Sequence, residues 1–144
     1  MNTPTPEMVG VAWLRRLPLM QGDYVTDADT KLPDITTWTK PTYLQVTHVT
    51  SPQDIYSPER NPHLQVDVWG ARLDYNLVSS IAETVVDTTF DGSGLGEFAV
   101  KAGFYPVRLA DVSVFTGPVP IPDDPAELAR SRMVLAFTYV INPS

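Results

Sequence analysis

In Asn61-Pro62-His63-Leu64-Gln65-Val66-Asp67-Val68-Trp69-Gly70, the side chains of Leu64, Val66 and Val68 point one way along an extended chain and those of Gln65, Asp67 and Trp69 the other. A period of two predicts a strand with one buried face. Pro62 stands at the start, where a missing N–H removes no ladder bond, and Gly70 permits a sharp exit at the end. Just downstream, Leu77, Val78, Ile81, Ala82 and Val85 recur at spacings of three and four, which predicts an amphipathic helix capped by Asn76. Just upstream, Leu44 and Val46 alternate with Gln45 and Thr47 across residues 43–50. This second strand pairs antiparallel with the first through the proline-bearing loop 51–62.

Further out, Thr5-Pro6-Glu7 combines a capping hydroxyl, a proline at the first helical position and an early carboxylate. The helix it opens runs to Leu17, ends at Pro18 and buries Val9, Ala12, Trp13 and Leu17; Gly10 weakens it by about 1 kcal/mol relative to alanine. Residues 24–26 are a short strand. Residues 32–41 form a loop that exposes Trp38. On the C-terminal side, 91–96 is a glycine-rich flexible loop. A third long strand over 107–116 sets Ala110, Val112 and Val114 against Leu109, Asp111, Ser113 and Phe115. Residues 117–125 are too rich in proline to join a sheet, and 126–131 are read as one helical turn. The last strand, 133–141, is apolar on both faces, as a central or covered strand is. The order predicts one α+β domain over residues 1–144, a mixed and mainly antiparallel sheet with two helices packed on it. Its core comprises Trp13, Leu17, Leu44, Val46, Leu64, Val66, Val68, Leu77, Ile81, Val85, Val112, Val114, Leu135 and Phe137.

The totals fit such a domain. A chain of 144 residues, 43% hydrophobic and 19% charged, buries a sizeable core without cross-links. No apolar run approaches the roughly 18–20 residues that span a bilayer, so no membrane partner is expected. The absence of cysteine excludes disulfides and thiolate chemistry. A net charge of −7 with scattered basic residues argues against a protein that clamps nucleic acid by its phosphates. Residues 1–19 lack the basic start and continuous apolar run of a signal peptide. Synthesis in the cytosol is the expectation.

Reactive constellations are missing as well. Asp27 and Asp29 offer two carboxylates, but a cation loop needs more oxygen ligands and a fixed glycine turn. His48 and His63 have no serine or cysteine at a recognisable spacing. The glycine run follows a helix and lacks Gly-Lys-Ser/Thr, so it fits neither a dinucleotide fingerprint nor a P-loop. The expectation is no enzyme, no metal and no cofactor.

Trp13-Leu14-Arg15-Arg16-Leu17, Leu32-Pro33, Leu44-Gln45-Val46, Leu64-Gln65-Val66-Asp67-Val68-Trp69, and Pro122-Asp123-Asp124-Pro125 followed by Arg130 occur in this order across nearly the whole chain. The ordered set resembles the tail terminator proteins of long-tailed bacteriophages. The resemblance implies a non-enzymatic ring, usually a hexamer, that caps the tail tube at its final length and provides the surface for head joining. Its partners would be further copies of itself, the tail tube protein and the head-to-tail connector, or stopper, protein. DNA would pass through the lumen without specific binding. Such a protein is made in the host bacterial cytoplasm and resides at the neck end of the virion tail. A neck, head-completion or tail-tube protein is the alternative, and a small ligand-binding domain or enzyme a more distant one.

A head-to-tail ring needs two different complementary patches on each subunit. Stiff proline-rich loops lose little entropy on association, and aromatic and arginine side chains dominate interface hot spots. Trp38, Tyr56, Arg60, Asp124 and Arg130 are therefore the candidate subunit-interface residues. The lumen is expected to be poor in lysine and arginine, with some of Asp27, Asp29, Asp87, Asp91 and Glu97 near it.

Overall fold

A computed structural model describes residues 1–50, 58–121 and 128–142. Helix α1 (Pro6–Arg15) begins as its sequence dictates, with the Thr5 hydroxyl accepting the Met8 N–H at 3.3 Å. It stops two residues short of Leu17, and Pro18 opens a 3-10 turn instead. Strands β1 (Val25–Asp29), β2 (Thr42–Thr50), β3 (Glu59–Arg60) and β4 (His63–Gly70) follow. Then come α2 (Tyr75–Asp91), β5 (Gly96–Phe98), β6 (Val107–Pro120) and β7 (Ala129–Ile141). The seven strands form one sheet in the order β1-β2-β4-β7-β6-β5, with β3 paired to the far end of β7. Among these strand pairs of the described residues, only β1–β2 is parallel. The fold is α+β, with the 61–70 segment at its centre.

Both helices pack on the face that carries Leu64, Val66 and Val68, and one continuous core results. Trp13 is fully buried there, edge-on to Phe137 at 5.5 Å between ring centroids. The expected core residues are buried except Leu77 and Val114, which are partly buried against it. Gly10 explains itself by close approach. A Cβ at that position would lie 2.5 Å from Leu64 Cδ1 and 3.2 Å from Val46 Cγ1, so α1 rests directly on β2 and β4.

Five expectations change. Asp74, not Asn76, caps α2, its carboxylate accepting the Leu77 N–H at 3.2 Å. The run 91–96 is a packed turn: Gly92 ends α2 in the left-handed region, and the Trp13 indole donates to Ser93 O at 3.0 Å. Strand β6 holds an irregularity between Leu109 and Asp111, so Leu109 and Val112 both point inward while Ala110 is exposed. An extra residue in one strand flips the side-chain phase beyond it. The same strand continues through Gly117, Pro118 and Val119 to Pro120, opposite Ser131. Prolines are tolerated there because β5 meets β6 only at Val107, Arg108 and Leu109, which leaves the rest of that edge without a strand partner among the described residues. Residues 129–131 belong to β7, not to a helical turn.

Candidate functional site

Among the described residues neither α-helix packs on the opposite face of the sheet, and its polar side chains are built into a network. Alternation in β4 turns Gln65, Asp67 and Trp69 to this face, and alternation in β7 does the same for Arg130 and Arg132. Register then sets Trp69 opposite Arg130 and Asp67 opposite Arg132, with Tyr43 and Gln45 of β2 on the other flank. Asp67 is 1% exposed, and a carboxylate so buried requires compensation. Its two oxygens accept from Arg132 Nε and Arg130 at 3.0 Å each, and from the Gln65 amide at 3.0 Å. Two guanidinium groups around one carboxylate leave a surplus positive charge. The Arg130 guanidinium also lies 4.4 Å above the Trp69 ring, whose indole N–H donates to Gln45 at 3.0 Å. Arg130 Nε is buried without a hydrogen-bond partner among the described residues.

Aromatic groups border the network. Trp38 stacks on Tyr43 at 5.8 Å and is pinned by its indole N–H to Pro33 O at 3.2 Å. Burial, and then the carboxylates of Asp27 and Asp29, push the Tyr43 phenol above its ordinary pKa, with Arg15 opposing them. Phe115, 64% exposed, meets the His63 ring at 4.4 Å, and Val119 is also exposed. A rigid layer of tryptophan, tyrosine and arginine beside exposed apolar groups is the composition of a protein-binding surface.

Of the candidate interface residues, Trp38 and Arg130 belong to this face, joined through Tyr43 and Trp69. Arg60 does not. It pairs with Tyr139, about 30 Å of strand from Arg130 at ~3.3 Å per residue. Tyr56 and Asp124 lie outside the described residues. Asp67, Trp69 and Arg132 were missed, although Arg130-Ser131-Arg132 carries the same period of two as Gln65-Val66-Asp67. Reading 126–131 as helical hid that match.

The carboxylates of β1 are engaged by protein. Arg15 reaches over the edge of β1, donating from Nε to Asp27 and to Ala28 O at 3.1 Å, and it lies 3.9 Å from Asp29. Among the described residues no group of three or more histidine, aspartate or glutamate side chains is arranged to hold a metal ion. No family model matches this chain, and comparison with curated proteins finds no match.

Proposed function

We propose that this protein is a structural subunit of the tail-terminator kind: it assembles into a ring that caps a phage tail tube and offers a docking surface to the head connector. The observation that carries this reading is the ordered series of segments that resembles that family's, and three of those segments contribute to one core. Trp13 in α1 with Leu17 just beyond it, Leu44 and Val46 in β2, and Leu64, Val66 and Val68 in β4 belong to the same core. The helix-free sheet face supports the reading by its chemistry. A solvated sheet face is ordinarily an alternation of mobile polar groups, whereas this one fixes Asp67 between two arginines and stacks Arg130 on Trp69. Such preorganisation lowers the entropy cost of association.

Sedimentation of the purified protein, with electron microscopy of the same sample, tests the proposal. The expected result is a closed ring of uniform order. A monodisperse monomer at high concentration overturns it.

A further inference from the structure

An open groove of about 560 Å³ runs along the outer side of α1. Its apolar floor is Met8, Val11 and Ala12, with Val100 and Phe104 as one wall. Arg16 and Lys101 also line it; so do Arg15 and Asp29, which lie 3.9 Å apart and, with Asp27, offset one another's charge. Arg16 is held in place over the Phe98 ring, 4.5 Å from its centroid. The groove therefore suits an apolar anchor flanked by carboxylates.

Helix α2 carries such an anchor. Phe90 is 80% exposed. Glu83, Asp87 and Asp91 are also exposed, and with Phe90 they fall at spacings of three and four along one helix face. The two features sit on different parts of the helix layer, since α1 packs on β1, β2 and β4 whereas α2 packs on β4, β6 and β7. A knob and a complementary groove at separate places on one chain make a head-to-tail contact, which closes into a ring when the rotation between copies allows it.

We propose that the α2 of one copy seats Phe90 in the α1 groove of the next, with Asp87 and Asp91 facing Arg16 and Lys101. This rests on the ring reading above and names one of its interfaces. Phe90→Ala removes an exposed side chain and leaves the fold intact; it is expected to weaken association by about 30-fold per contact, the scale of an interface hot spot. Asp87→Lys is expected to weaken the ring as well, and Lys101→Glu in the same chain to restore it. Direction is read separately. The chain has no cysteine, so Asp87→Cys and Ala12→Cys proteins can be mixed and treated with a short bismaleimide. Cross-linked dimer in the mixture and not in either protein alone is the expected pattern. Rings that form normally from Phe90→Ala, with no cross-link in the mixture, overturn this contact and leave the ring reading standing. A wild-type protein that sediments as a monomer overturns both.

Discussion

Asp67 shows how one side chain commits its neighbours. A carboxylate that is 1% exposed cannot remain charged without partners, and both arginines reach it from alternate positions of the adjacent strand. Removing the charge strands two guanidinium groups, one of them only 20% exposed. Asp67→Asn is accordingly expected to cost about 3–5 kcal/mol, the range for breaking a buried pair from one side; urea denaturation measures it. Tyr139 makes a different prediction. It is 1% exposed at the edge of the core, and burial pushes its phenol up to about 12, with Arg60 acting the other way. Below pH 10 the phenol is neutral in both folded and unfolded chains, and its contribution is fully present. Between pH 10 and 12 only the unfolded chain ionises, so stability falls by about 2–3 kcal/mol over that window, at about 1.4 kcal/mol per pH unit. Urea midpoints recorded from pH 9 to 12 should decline, and Tyr139→Phe should flatten the decline.

At the scale of elements, legibility followed regularity. The strand at 63–70 and α2 were readable because an unbroken period runs through each, long enough to separate two from 3.6. Strand β6 was misread in phase because a bulge is a single-residue insertion with no signature in the composition. It was also misread in length, because its prolines lie where, among the described residues, no strand pairs on the outer edge. Strand β5, three residues long, is too short to show any period. The polar sheet face was legible only in part: Trp38 and Arg130 stand out by residue type, while grouping Asp67 and Arg132 with them required knowing that residues 129–132 are extended. The helix face is testable directly. Ile81 is 7% exposed on the core side of α2, and Ile81→Ala should cost about 2–5 kcal/mol through lost transfer energy and the cavity left behind. A thermal melt unchanged by that substitution would mean that α2 does not pack through this face.

For the whole molecule the decisive quantity is where charge remains uncompensated. The chain carries −7 overall, yet the carboxylates thought of as lumen-facing already have neighbours of opposite sign or a proposed use. Asp27 and Asp29 are tied to Arg15, and Glu97 stands opposite Arg108 in the β5–β6 pair. Asp87 and Asp91 belong to the proposed contact between copies. Among the cations, Arg130 and Arg132 flank Asp67 with one positive charge to spare, and Arg16 lies over Phe98. In the proposed ring the net charge of −7 per subunit repels phosphate at long range. Duplex DNA held by counterion release needs several lysines or arginines at phosphate spacing. The assembled ring should therefore not bind duplex DNA tightly even at about 50 mM salt, where electrostatic affinity is strong. Fluorescence anisotropy of a labelled duplex titrated with protein checks this. Submicromolar binding that weakens steeply with added salt would mean that the cations gather on one surface after all, and that the passage model for the lumen is wrong.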